Sequence, residues 1–367
     1  MLFFNTFAEL RDDTRFPYFS INKHLYSGGS GLDLLSKYPM TKSVKVEFNE
    51  NPIYVSKGFQ KNTVMIYPDV FVDVYNTHCG DDYNDHIVPQ LQQISDYIQA
   101  NSPAGRAVIF IGDMNVTWHW PGNALQPLIT ANNFQDACVV ATGNQGGPVD
   151  RILYRSGTDV TLTLDHYERM ESNQHTGDKY FGHFIKDGEL LSDHPAVLAE
   201  FNFTVADDKR LQSGDTLYLS QMKLDYGYNN GFDHGPFGIN QGIGSGDEWD
   251  GQVMRMDPKT YAKGVGVHAF SRIIVNANKK YSRFISDVGI DEESGSNGKV
   301  RFKVYINGTE TVPGTLVFDS GVMEPWTATK TVDVDVSNAN TVKLIVDTEG
   351  SDSWDHADWA DARFILK

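Results

Sequence analysis

Cysteine is nearly missing from this chain. Cys79 and Cys138 are the only two, too few for a disulfide scaffold. They can pair with each other or remain two buried thiols. Long apolar runs are missing too: none approaches the ~20 residues needed to span a bilayer. The first residues lack the basic-then-apolar pattern of a secretory signal. Basic residues are in deficit, 31 Lys and Arg against 48 Asp and Glu, for a net charge of −17. That balance argues against a dedicated nucleic-acid binder, which presents a basic face. It leaves room for a nuclease, because a metal ion can supply positive charge locally. There is no internal repeat and no low-complexity tract. What remains is ordinary globular composition, 40% hydrophobic and 22% charged over 367 residues, enough for about two domains.

The first half alternates strands with a few helices. The segment from residue 1 to about 25 has a mixed helical pattern, and Leu32–Ser36 reads as a strand before Pro39. Val44–Phe48, Asn62–Tyr67 and Val70–Tyr75 follow as strands, the last running into His78. Leu91, Ile94, Tyr97 and Ile98 at helical spacing predict a helix over 88–100. Val108–Ile111 predicts a strand buried on both faces, ending in Gly112-Asp-Met-Asn115. A second helix is expected over 124–132, strands at 149–154 and 196–203, and a long polar loop over about 165–190. Many strands with few outer helices place residues 1–203 in the α/β class.

Polar residues collect at the strand ends. On an extended strand Asp113 and Asn115 point the same way. His78 ends the strand before them, Asp150 begins the strand after them, and Asp193 and His194 directly precede the last one. Hydrolysing a phosphodiester needs an activated water, a cation beside the phosphoryl oxygens and a stabilised leaving oxygen. Carboxylates suit hard cations, and histidine suits proton transfer near neutral pH. One such residue means little; two His, three Asp and one Asn at consecutive strand ends indicate catalysis.

In this order the motifs resemble the endonuclease/exonuclease/phosphatase superfamily, whose fold is that of deoxyribonuclease I. They are Gly31-Leu-Asp-Leu-Leu-Ser-Lys-Tyr-Pro39, Ser56-Lys-Gly58, Tyr75-Asn-Thr-His78, Gly112-Asp-Met-Asn115, Val149-Asp-Arg-Ile152 and Ser192-Asp-His194. The resemblance implies a four-layer α/β sandwich with two central sheets and a metal-dependent phosphoric-ester hydrolase, using Mg²⁺ or else Mn²⁺ or Ca²⁺. It assigns His194 as general base with Asp150 orienting its ring. It gives Asp113 and Asn115 to positioning phosphate and nucleophile, and His78 to binding or protonating the phosphate. Asp113 and Asp193 are its metal ligands here. The glycine-rich first motif, Ser-Lys-Gly and Gly-Asp-Met-Asn-Val are similar to the neutral sphingomyelinase branch, whereas Val-Asp-Arg-Ile is nuclease-like. The family's Gln-Glu pair, with its principal metal-binding glutamate, does not precede Gly31. An N-terminal truncation is the favoured explanation, with Asn5 and Glu9 as weak substitutes otherwise. Without that glutamate the alternative is a catalytically inert glycan-binding protein.

That alternative comes from the second half. After a candidate linker at 204–214, residues 215–367 lose helical periodicity and show short alternating runs such as Lys299–Tyr305 and Thr331–Val336. Such runs between Gly, Asn and Asp turns predict an all-β sandwich. Trp359, Ala360 and Ala362 are expected in its core, and His268 has no partner at zinc spacing. Tyr261-Ala-Lys-Gly-Val-Gly-Val-His268, Val288-Gly-Ile-Asp-Glu292, Asp319-Ser-Gly-Val-Met323 and Asp355-His-Ala-Asp-Trp-Ala-Asp-Ala362 closely resemble the NPCBM family, a jelly-roll carbohydrate-binding module. The resemblance implies binding of glycans, terminal galactose or related sugars, with Trp249, His268 and Trp354 as candidate contacts. A phosphoesterase joined to a glycan-binding module implies a secreted or cell-surface protein. The sequons at Asn115, Asn202 and Asn307 are read as chance matches.

Overall fold

The computed structural model describes residues 16–20, 32–51, 56–116, 123–144, 147–170, 176–178, 182–183, 185–186, 189–190, 194–229, 236–244, 251–256 and 258–367. The first half is built on a six-stranded mixed sheet. Along it lie β3 (Met40–Glu47), β4 (Gly58–Tyr67), β5 (Val70–His78), β6 (Ala107–Asp113), β8 (Asp150–Arg155) and β7 (Gln135–Asp136). Only β5 and β6 run parallel, and the crossover joining them contains helix α1 (Val88–Asn101), as a parallel connection requires.

Alternation along each strand divides the sheet into two apolar faces. Phe59, Tyr75, Val108, Phe110 and Leu153 pack under α1, through its Leu91, Ile94 and Ile98, and under α2 (Leu125–Asn132), through Leu125 and Leu128. Val72, Ala107, Ile152 and Tyr154 face the other way, onto a second layer. That layer contains the antiparallel pair β9 (Val160–Met170) and β10 (Ala196–Val205). A separate two-stranded ladder pairs β1 (Tyr18–Ser20) with β2 (Leu34–Ser36). Asp73 is fully buried within the sheet but satisfied: Lys61 and Arg106 each approach to 3.1 Å, and the Ser102 hydroxyl donates at 2.7 Å.

Three expectations need correction. Residues 16–20 hold no helix, and 18–20 form a buried strand; the rest of that expectation falls outside the described residues. The polar loop expected over about 165–190 is not what the described residues form: β9 runs to Met170 paired with β10, Thr176–Asp178 pairs with Gly182–His183, and Ile185–Lys186 pairs with Glu189–Leu190. A bulge at Asp165 shifts the inward set from Val160, Leu162 and Leu164 to Tyr167, which hides the strand from a period-two reading. The short helix α3 (Ala137–Thr142) was not anticipated; Asp136 caps it by accepting from the amides of Cys138 and Val139.

The second half is an antiparallel β-sandwich. One sheet orders Gly238–Ile239, Gly264–His268, His356–Leu366, Tyr281–Ile290 and Lys330–Asp335, with Thr216–Tyr218 also pairing to His356–Leu366. The other orders Tyr226–Asn229, Ser271–Asn276, Thr341–Thr348, Val300–Ile306 and Thr315–Met323. Between them Trp359 is fully buried and meets Phe302 edge-on at 5.1 Å. Ala362 shares that core, but Ala360 does not. The left-handed Asp361 bulges the strand, so Ala357, Trp359, Ala362 and Phe364 face inward. Ala360 instead packs outside, against Met254, Met256 and Tyr261 of a covering hairpin.

The connecting stretch is tied down rather than extended. Thr204 and Val205 finish β10, and Asp207–Lys209 forms one 3₁₀ turn. The Leu211 amide donates to the Tyr67 hydroxyl at 2.8 Å, the Gln221 amide side chain to Asp69 at 3.2 Å, and the Leu224 amide to the Lys37 carbonyl at 2.9 Å. Tyr18, Met40 and Val64 join the apolar cluster of the sandwich, so one core crosses from half to half.

Candidate active site

Pairing register alone places three site residues side by side. His78 lies opposite Asp113 in the β5–β6 ladder, and Asp113 lies opposite Asp150 in the β6–β8 ladder. The approach of β6 to β5 depends on Gly112. Its φ is +127°, and an added Cβ would sit 2.0 Å from the Thr77 carbonyl oxygen. Strand β6 ends at Asp113, so strand alternation does not carry Asn115, contrary to expectation. Instead Asp113 Oδ1 accepts from the Asn115 amide at 2.8 Å, and Asn115 takes the left-handed conformation that its short side chain tolerates. Its Nδ2 then donates to the Cys79 carbonyl at 2.9 Å.

His194 comes in from the start of β10. Its Nδ1 is 2.9 Å from Asp150 Oδ2 and 3.8 Å from Asp113 Oδ2, while His78 Nε2 is 3.7 Å from that same Asp113 oxygen. Both imidazoles are partly open to solvent, 44% for His78 and 38% for His194. Burial, then the Lys57 charge, pushes the His78 pKa below its ordinary value despite Asp113 and Asp150. Asp150 moves the other way. Burial and the Asp113 carboxylate raise its pKa against the lowering effect of His194.

Lys57 was not given a role by sequence reasoning, although the Ser-Lys-Gly motif drew attention to it. Its Nζ donates to the Cys79 carbonyl at 2.8 Å, the same oxygen that receives Asn115 Nδ2. A cation therefore stands beside Asn115, and its charge reaches His78. Cys79 and Cys138 are both buried free thiols, and burial pushes the Cys79 pKa up to about 12, far from a thiolate nucleophile.

Among the described residues, Asp113, Asp150 and His194 are the one acidic and imidazole group whose ligand atoms lie within 4.8 Å of one another. Two carboxylates fit the oxygen preference of a hard divalent cation that keeps several waters. Asp193, expected as a ligand, lies outside the described residues.

A family model described as endonuclease/exonuclease/phosphatase matches residues 4–194. The chain belongs to that family. Residues 215–365 match the NPCBM/NEW2 domain. A sphingomyelinase of Mycobacterium tuberculosis is 31% identical over 195 residues, covering 48% of this chain and 38% of the relative. An alpha-1,3-galactosidase B of Akkermansia muciniphila is 36% identical over 108 residues, covering 28% of this chain and 13% of the relative. The chain thus spans well under half the length of these curated relatives. Among solved structures, a CBM51 module from Clostridium perfringens GH95 in complex with methyl-galactose is 28% identical. It covers 41% of this chain and 99% of its own, with a TM-score of 0.35.

The candidate glycan contacts fare unequally. Trp249 lies outside the described residues. His268 is 1% exposed, its backbone amide donates to Asn229 Oδ1 at 2.6 Å, and its ring Nδ1 lies 2.8 Å from the Ala269 carbonyl. It is a core residue rather than a surface for a sugar to stack on, because the Gly264–His268 strand is buried along its length. Trp354 is on the surface and lines a cavity of about 480 Å³ with Lys299, Glu324, Glu349 and Trp326. Trp326, which sequence reasoning passed over, is 82% exposed. Both tryptophans have positive φ, 67° and 76°, an uncommon conformation for bulky residues that a supporting structure must hold.

Proposed function

We propose that the chain hydrolyses a phosphodiester with water and is brought to its substrate by glycan binding through its second half. The observation that carries the first part is the 2.9 Å contact between His194 Nδ1 and Asp150 Oδ2. A carboxylate holding Nδ1–H leaves Nε2 as the basic atom, so His194 is set to take a proton from the attacking water. Asp150 orients the ring and stabilises the imidazolium that follows. The Asn115 side-chain amide and the Lys57 ammonium, both anchored on the Cys79 carbonyl, donate to the phosphate oxygens. His78, whose lowered pKa makes it predominantly neutral near pH 7, donates a hydrogen bond to a phosphoryl or leaving oxygen. Asp113 and Asp150 would hold the divalent cation of this family, Mg²⁺ by preference, which when bound neutralises charge on the phosphoryl oxygens. Asp113 Oδ2 also lies between the two histidines, 3.7 Å from His78 Nε2 and 3.8 Å from His194 Nδ1.

A choline-type lipid head group is the substrate class we favour. The match to a sphingomyelinase over 195 residues supports it, and a net charge of −17 is ill suited to a polyanionic duplex. The NPCBM match and the exposed Trp326 and Trp354 support galactose-type glycan binding, which concentrates the enzyme at a glycosylated surface outside the cell. Turnover of sphingomyelin, a DNA duplex and bis(p-nitrophenyl) phosphate is to be compared in Mg²⁺ and in EDTA, for the parent and for His194→Ala. Mg²⁺-dependent turnover that His194→Ala lowers at least a hundredfold is the expected result. Absence of metal-dependent turnover on all three leaves a glycan-binding protein with an inert first half.

A further inference from the structure

Lys57 and Asn115 are held by one peptide group, the one that joins Cys79 to Gly80. Its carbonyl receives Lys57 Nζ at 2.8 Å and Asn115 Nδ2 at 2.9 Å. Its N–H, on the opposite edge of the same plane, donates to Gln90 Oε1 at 2.7 Å. A peptide group is flat, so a bond that fixes the N–H also fixes the direction of the carbonyl. Two further contacts leave it little play. The Cys79 amide donates to the Asp113 carbonyl at 2.9 Å, and a Cβ on Gly80 would stand 2.5 Å from His86 Cβ.

Gln90 comes from the first turn of α1 and is fully buried. Its Nε2 donates to the Glu50 carbonyl at 2.7 Å. The residue after Glu50 clasps the lysine itself. Asn51 Oδ1 accepts the Lys57 amide at 2.9 Å, and Asn51 Nδ2 donates to the Lys57 carbonyl at 3.1 Å. One glutamine side chain thus spans the peptide that receives Lys57 and the segment that carries it. Its two partners, an N–H and a carbonyl, fix which end of the amide is oxygen. An apolar side chain of the same shape would leave both backbone groups buried without partners. Gln93 supplies a contrast on the same helix. It donates to the Glu47 carbonyl and accepts the Asn49 amide, both at 2.9 Å, so it ties the same segment to α1 without touching the Cys79–Gly80 peptide.

We infer that Gln90 is a positioning residue for the phosphate-binding pair, aiming Lys57 and Asn115 through the Cys79–Gly80 peptide. It touches no reacting atom and acts through the carbonyl on which both donors rest. When Gln90 is replaced by a side chain that cannot accept, the Gly80 N–H must seek another partner and the peptide plane turns. The Cys79 carbonyl then leaves Lys57 Nζ, and the ammonium swings into solvent. The effect on turnover rests on the hydrolase reading, whereas the effect on Lys57 does not.

The test compares the full chain with Gln90→Leu, Gln90→Glu, Gln93→Leu, Lys57→Met and the pair Lys57→Met with Gln90→Leu. Two measurements are made on each: kcat/KM on bis(p-nitrophenyl) phosphate, and the Lys57 ammonium signal in nitrogen-edited NMR, which rapid exchange with water erases when a lysine is not held. Gln90→Leu is expected to abolish that signal and to lower kcat/KM by roughly tenfold or more, the size of a lost hydrogen bond to a charged group. Gln90→Glu, which still accepts from Gly80, restores both, and Gln93→Leu keeps both. The combined loss of Lys57→Met and Gln90→Leu falls short of the product of the single losses, because the two act through one contact. If Gln90→Leu does not fold, Gln90→Met, which fills the same space with an adaptable side chain, takes its place. The inference is overturned if the parent shows no held Lys57 signal or if Gln90→Leu retains it. It is equally overturned if Gln93→Leu reproduces the loss, or if the two single losses multiply in full. A parent without turnover removes the hydrolase reading, and the ammonium signal alone then decides the role of Gln90.

Discussion

The Asp113 side chain divides its two oxygens between two tasks. Oδ1 accepts the Asn115 amide at 2.8 Å, and Oδ2 lies 3.7 Å from His78 and 3.8 Å from His194. One carboxylate thereby sets the turn that aims Asn115 and the field felt by both imidazoles. Loss of either function should be separable from loss of the base itself.

Replacing Asp150 by Asn keeps the shape but removes the charge that holds Nδ1–H of His194. The expected result is a kcat lower by roughly 10²–10⁴-fold, the range of a general base lost from a proton-transfer step, with KM little changed. Steady-state kinetics on bis(p-nitrophenyl) phosphate check it. An unchanged kcat removes Asp150 from the orienting role.

Lys57 and burial both lower the His78 pKa, which fixes the sign of a titration experiment. Lys57→Met removes one cause, so the His78 pKa should rise towards 6.5, read by NMR of the imidazole proton. A histidine whose folded pKa is depressed contributes stability that is present above its unfolded pKa. That stability is lost as pH falls through the folded value. The variant should therefore lose less stability between pH 7 and pH 5 than the parent. A His78 pKa that stays put or falls contradicts the arrangement.

Gly112→Ala tests the close approach of β6 to β5. The new Cβ would sit 2.0 Å from the Thr77 carbonyl at φ +127°, so the strands must part. Destabilisation of more than ~1 kcal/mol is expected, together with loss of turnover as Asp113 moves from His78. Denaturant unfolding and the same kinetic assay report on the two effects.

Trp326→Ala and Trp354→Ala should leave stability within about 0.5 kcal/mol, as exposed positions do, and weaken binding to galactose-terminated glycans. A tenfold loss, or ~1.4 kcal/mol, in calorimetric titration is the expected size for either. Unaltered affinity in both variants moves the glycan site elsewhere on the sandwich.

Much of this was legible in the sequence where residue chemistry and strand ends coincide. His78, Asp113, Asp150 and His194 stood out because each sits at an end of an apolar run, the first two where it stops and the last two where it starts, and pairing register then brings the first three into line. Asn115 lies beside Asp113, but a left-handed turn, not strand alternation, sets its direction. Lys57 was missed because a lysine near a glycine has no periodic signature; only its contact with the Cys79 carbonyl gives it meaning. Ala360 was misplaced because the Asp361 bulge shifts the inward set after Trp359, and one residue of shift exchanges the faces. His268 and Trp326 changed places for a related reason. Burial of a short strand and exposure of a turn depend on what packs over them, which local spacing does not carry.

The hydrogen bonds of Leu211, Gln221 and Leu224 to the first half, with Tyr18 and Met40 sunk into the sandwich, make the two halves a single lever rather than a hook on a string. A flexible tether would let the catalytic cleft sample every orientation above the surface that the sugar-binding half grips, and its benefit would fall smoothly with tether length. A fixed joint presents the cleft at one height and one angle. The enzyme would then act on phosphodiesters at a set distance from the anchoring sugar, so glycan length should govern which substrates are cut as strongly as glycan identity does.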